Sequence, residues 1–159
     1  MNALATVLRG RPAHLSPLAC VEDVSSELAG RRVPTLPHTI WQLVGHLNYW
    51  MDFELRCIEG PESPYPEHAA AGWPRTDGPP DRESWALSLA LLRTNLDQLV
   101  ALANARASTL ARIVHPGKGT TVEDILVVLA AHNSYHVGQI VLLRQALGAW
   151  PPAAGEYVW

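Results

Sequence analysis

The sequence predicts an all-α fold, a four-helix bundle occupying residues 1–159 as one domain. Three observations carry this expectation. Four segments repeat apolar side chains every three or four positions, the spacing that lines one face of an α-helix. Each segment is bounded by residues that start and stop helices. No stretch alternates apolar and polar side chains as a half-buried strand does. Helices that each carry one apolar stripe hide those stripes by packing on one another, and four of them make a bundle.

The first segment opens at Ser16-Pro17, an N-cap and first-turn pair. Its stripe is Leu18, Val21, Val24 and Leu28, and Gly30 stops it. A short extra helical piece is expected before Ser16. The second segment opens at Thr39-Ile-Trp-Gln42, which has the spacing of a capping box. Its stripe is Ile40, Leu43, Val44, Leu47, Met51, Leu55 and Ile58, and Gly60-Pro61 ends it. Residues 60–80 then form a Pro/Gly-rich connection, a length that points to a functional loop or a crossover. The third segment starts near Asp81 and carries Trp85, Leu89, Leu92, Leu96, Leu99 and Ala103 at helical spacing. A linker with Pro116-Gly-Lys-Gly119 follows. The fourth segment begins at Thr120-Thr-Val-Glu123, read as another capping box, and ends at Gly148 with Pro151-Pro152 beyond. Its stripe is Ile125, Leu129, His132, His136, Leu143 and Leu147. The tail after Pro151 is expected to be held by Tyr157 or Trp159 packing onto the bundle or onto a second subunit.

Composition narrows the function. Hydrophobic residues make up 48% and charged residues 17% of the chain, as in a globular protein with a core. The net charge of −3 gives no broad cationic surface for nucleic acid or an anionic membrane. Cys20 and Cys57 form no C-x-x-C motif and no disulfide framework, which fits a reducing compartment. The first residues lack the pattern of a signal peptide, and no unbroken apolar run reaches the roughly 18 residues of a membrane span. A cytoplasmic protein is expected.

The chemistry lies in His132-Asn-Ser-Tyr-His136. Histidines four apart sit one above the other on a helix face, here on the apolar stripe. Buried imidazoles need partners for their ring nitrogens, and one metal ion serves two at once. His46 lies near the edge of the second stripe and can complete a three-histidine site between helices. Such a site leaves coordination positions open, and neutral ligands favour an anion in one of them. The zinc-protease motif H-E-x-x-H is absent, since Asn133 stands where the glutamate base would be. Tyr49, Tyr135 and Gln139 read as packing or supporting residues. Glu54 reads as a solvated carboxylate that can reach the same face. His14, His38, His68 and His115 read as solvated loop or cap residues. Ser134, Cys20 and Cys57 have no triad-like neighbours in sequence, so no nucleophile is assigned.

Two of these stretches carry a resemblance. His38-Thr-Ile-Trp-Gln-Leu-Val-Gly-His46-Leu-Asn-Tyr-Trp50 is similar to the second helix of the DinB/YfiT-like superfamily. Ala131-His132-Asn-Ser-Tyr-His136-Val-Gly-Gln139-Ile, with Leu143-Arg144, Leu147-Gly148 and Trp150-Pro151, is similar to its fourth. The resemblance implies an up-down-down-up four-helix bundle, commonly a homodimer. It implies a divalent metal, nickel or zinc, on His46, His132 and His136. Members with assigned roles include thiol S-transferases that use bacillithiol or mycothiol. The expected activity is therefore transfer of a low-molecular-weight thiol to a small electrophile, with the loop of residues 60–80, Tyr65 and Trp73 included, walling the substrate cavity. A metal-dependent hydrolase, with Glu54 or Tyr135 as proton acceptor, and a non-enzymatic stress-related metal-binding bundle are the alternatives.

Overall fold

A computed structural model describes residues 2–11, 13–60 and 64–153. The described residues form six α-helices, one 3₁₀ turn and a two-stranded antiparallel sheet. In chain order these are α1 (Ala3–Leu8), α2 (Ser26–Ala29), α3 (Ile40–Glu59), the 3₁₀ turn Ala69–Gly72, α4 (Arg82–Ala103), α5 (Ala107–Leu110), β1 (Ile113–His115), β2 (Thr120–Thr121) and α6 (Val122–Ala146).

Two of the three long helices, α3 and α4, start where the sequence says they should, and α6 starts one residue later. The Thr39 side chain accepts from the Gln42 backbone amide, and the Gln42 side chain returns the bond, so α3 opens on a full capping box. Asp81 caps α4 by accepting from the Ser84 amide at 2.7 Å. The box of α6 sits one residue later than Thr120-Thr-Val-Glu123 suggests. Thr121 is the N-cap and Asp124 its partner, while Thr120 and Thr121 both pair with β1.

The helix expected over residues 16–30 is absent as a continuous element. Ser16 does cap a turn, its hydroxyl accepting from the Ala19 amide. Beyond it, two carbonyls that a helix would consume are claimed from outside. Arg144 donates to the Cys20 carbonyl at 2.7 Å, and the Trp85 indole donates to the Val24 carbonyl at 2.7 Å. Ser25 then caps again and starts the four-residue α2. The short helix expected before Ser16 is present as α1.

The hairpin was not legible, because strands of three and two residues are too short to show alternation. Helix α5 is equally short.

Helix α3 packs against α4 and α6, and α1 packs against the same two helices. Leu43, Leu47, Met51, Leu92, Leu99, Leu126, Ile140 and Leu143 fill the space between them. The inner face of α6 also buries Asn133, His136 and Arg144, while Val127, Val128, Tyr135 and Leu142 face outward. Among the described residues, α6 is the one helix long and apolar enough to cross a membrane. The core helix of a folded domain passes the same test, and polar groups on the packed face fit that role. Tyr157 and Trp159 lie outside the described residues.

Candidate metal centre

His46 is fixed by the middle of α3, and His132 and His136 by successive turns of α6. The packing of α3 on α6 brings the three rings together. The His132 Nε2 atom lies 3.2 Å from Nε2 of His46 and 3.1 Å from Nε2 of His136. His46 and His136 are buried and His132 is half-buried.

The backbone and one amide side chain set the tautomers. His46 donates its Nδ1 proton to the Gly72 carbonyl at 3.0 Å. His136 donates its Nδ1 proton to Gln139 Oε1 at 2.6 Å. Each therefore turns a bare Nε2 lone pair toward His132. A proton on His132 Nε2 can point well at one of these lone pairs, not at both. One cation answers all three. The 3.1 and 3.2 Å spans suit nitrogens held about 2.0–2.1 Å from a shared ion. The side chains present thus fit a divalent metal, and the group His46, His132 and His136 can hold one. The Nδ1 atom of His132 is buried without a hydrogen-bond partner, so its ring is the least constrained of the three.

An aromatic stack supports the ligand from α3. Trp73 lies flat on His46, with ring centroids 3.8 Å apart, and His38 lies flat on the other face of Trp73, also at 3.8 Å. The Pro/Gly-rich connection makes this possible by laying Pro74 directly against Gly45 on α3, a space that any Cβ would fill. Gly45→Ala is expected to push Pro74 and Trp73 away from His46. Metal affinity should fall about tenfold, the lower end of the loss seen when a ligand's supporting partner is removed. Titration calorimetry with zinc, beside a circular dichroism check of helix content, tests this.

Burial keeps the site neutral. It pushes the pKa of His46 and of His132 down to about 4, and neighbouring imidazoles push the same way. His136 is lowered as well, again by burial first. The unfolded chain takes up these protons near pH 6.5, where the folded protein still refuses them. The contribution of the histidines to stability is therefore complete above pH 6.5 and is lost as pH falls toward 4. Urea unfolding midpoints of the metal-free protein should drop between pH 7 and pH 5, and the drop should be smaller in a His46→Phe variant.

The cluster opens on a cavity of about 670 Å³. Trp50, Tyr65 and Trp73 wall it on one side and Ile125, Val128 and Leu129 on another, with Glu54 and Lys118 supplying charge. Tyr65 and Trp73 are thus where the sequence puts them. Glu54 is not solvated: it is 8% exposed, accepts from the Tyr65 hydroxyl at 2.7 Å and lies 3.3 Å from His115 Nε2. His115 is not a surface histidine either, at 1% exposure. His38 and His14 are half-buried, and His14 Nε2 lies 2.8 Å from the Ser134 hydroxyl. Sequence spacing does not show this cover, because it comes from residues far away in the chain. Only His68 stands exposed as expected. Gln139 has the supporting role read for it, and Tyr135 is exposed with its ring against His136.

A mostly helical chain whose long helices bring three imidazoles to the wall of an aromatic cavity has the form of a helical metal-binding protein. The chain belongs to the DinB superfamily, whose family model matches residues 14–140. No curated protein and no solved structure matches it.

Proposed function

We propose that this protein is a divalent-metal-dependent transferase that joins a low-molecular-weight thiol, of the bacillithiol or mycothiol type, to small electrophiles. The observation that carries the reading is the convergence of three Nε2 atoms on an open cavity with aromatic walls. A bound nickel or zinc ion would supply the Lewis acidity that lowers a thiol's pKa. The Gly72 carbonyl and Gln139 hold two imidazoles in the ligating tautomer. Trp50, Trp73 and Tyr65 offer flat apolar surfaces to the electrophile and exclude water around it. The thiol proton leaves to solvent and sulfur bonds to the electrophilic carbon; the displaced electron pair departs with the halide of an alkyl halide, or stays on the oxygen of an opened epoxide or a quinone, which then takes a proton from solvent.

A metal-dependent hydrolase is the second reading. It is favoured by Glu54, a buried carboxylate on the wall of the same cavity. The first reading stands ahead because Glu54 is already engaged by Tyr65 and His115, and Tyr135 is 65% exposed. Neither is a free base. The same proposal places α1, α3, α4 and α6 as an up-down-down-up bundle in a single cytoplasmic domain. It pairs two copies of the chain as a homodimer.

Metal-loaded protein should consume bacillithiol, mycothiol or glutathione in the presence of at least one member of a panel of alkyl halides, epoxides and quinones. No thiol consumption across the panel would overturn the reading. Ester or amide cleavage in thiol-free buffer would replace it with the hydrolase.

A further inference from the structure

Away from the histidine cluster, a second group of ligand-type side chains meets in the described residues. Glu54, Cys57 and His115 present a carboxylate oxygen, a thiol sulfur and an imidazole nitrogen that all lie within 4.8 Å of one another. All three side chains are buried, at 8%, 2% and 1% exposure. Glu54 and Cys57 are three residues apart on one face of α3, and His115 arrives from the end of β1. We propose that this group is a second metal site, one that takes a zinc-type divalent cation and pins the β1–β2 hairpin to α3.

The donor set is the first argument. Sulfur, imidazole nitrogen and carboxylate oxygen together are the ligands of zinc and its neighbours. Charge is the second. A carboxylate and a thiolate cancel the two positive charges of the ion, so the filled site is neutral and suits burial. The thiol gives its proton to solvent as the sulfur ligates. The histidine cluster has only neutral ligands and keeps its ion's charge for an incoming anion. The two sites therefore differ in charge: the filled second site is neutral, while the histidine site carries the charge of its ion. Third, Tyr65 already orients the carboxylate by donating to Glu54 Oε1 at 2.7 Å. Glu54 Oε2 and the Tyr65 hydroxyl each lie 3.3 Å from His115 Nε2, so that nitrogen already faces the carboxylate with which it would share an ion.

Eight residues separate Glu54 from His46, about 12 Å along the helix axis, so the two sites do not form a bridged pair. Glu54 lines the same cavity as the histidines, which gives an ion its route inward. With Glu54 committed as a ligand, the hydrolase reading loses its proton acceptor.

The test is cobalt(II) titration of metal-stripped, full-length protein, followed by ultraviolet absorption and by thermal melting. Wild type should develop a sulfur-to-cobalt charge-transfer band. The band should persist in Cys20→Ser and in His132→Ala, and should be lost in Cys57→Ser and weakened or lost in His115→Gln. Cobalt should still raise the melting midpoint of His132→Ala, but not of the His132→Ala/Cys57→Ser double variant. Absence of the band from wild type, or its survival in Cys57→Ser, would overturn the proposal. The band reports a sulfur ligand alone, so failure here and failure of the histidine site are seen separately.

Discussion

Alanine at His46 or at His132 is expected to weaken metal binding at the histidine cluster by more than about a hundredfold and, on the function proposed above, to abolish thiol transfer. Removing a residue that only supports a ligand costs roughly 10–100-fold in affinity, and each of these changes removes a ligand itself. Gln139→Ala supplies the comparison. It leaves all three rings in place but takes the acceptor from His136 Nδ1, so its loss should fall inside that range. Metal content after dialysis, with circular dichroism to confirm folding, checks the order. Gln139→Ala losing more metal than His132→Ala would mean that the rings are not the ligands.

The largest stability effect is expected at Arg144. Its guanidinium is nearly buried and holds Asp23 through two hydrogen bonds, at 2.6 and 3.0 Å. It also donates to the carbonyls of Cys20 and Ala149. It thereby ties α6 to the turn segment that replaces a first long helix. Arg144→Met fills a similar volume but leaves two carbonyls without their donor and Asp23 with the Ala153 amide in place of its cation. Breaking a buried pair in this way costs about 3–5 kcal/mol, and the partial exposure of Asp23 points to the lower end. For a domain of this size the melting midpoint should fall by about 6–12 °C. The link also has a pH signature. Hydrogen bonding to Arg144 holds the Asp23 carboxyl below its ordinary 3.8. Its stabilisation is present above 3.8 and is lost as pH falls through the lower folded value. Arg144→Met should remove that part of the acid dependence. An unchanged melting midpoint would show that the residues before α2 are not held this way.

The sequence made the histidine cluster readable for a local reason. His132 and His136 share a helix face by spacing alone, and the stripe around them says that the face is turned inward. His46 was readable as a candidate because its helix is equally regular. What it could not give was the pairing of α3 with α6, which depends on packing across the chain. The same limit explains His115 and Glu54. Both look like loop or surface residues until the hairpin folds back on α3. The stretch 16–30 shows the opposite failure. Its apolar spacing is helical, yet Trp85 and Arg144 take carbonyls that a helix needs, and tertiary hydrogen bonds override local pattern. The loop of residues 60–80 announced itself by length and proline content, but only the structure lays Trp73 on His46.

One cation is expected to sit among the three imidazoles of His46, His132 and His136. Anomalous diffraction from crystals grown with zinc tests it directly. A peak about 2.0–2.1 Å from Nε2 of His46, His132 and His136 together is the expected result. Zinc-loaded crystals with no peak at that point, or with the His46 ring turned away from the other two, would contradict it.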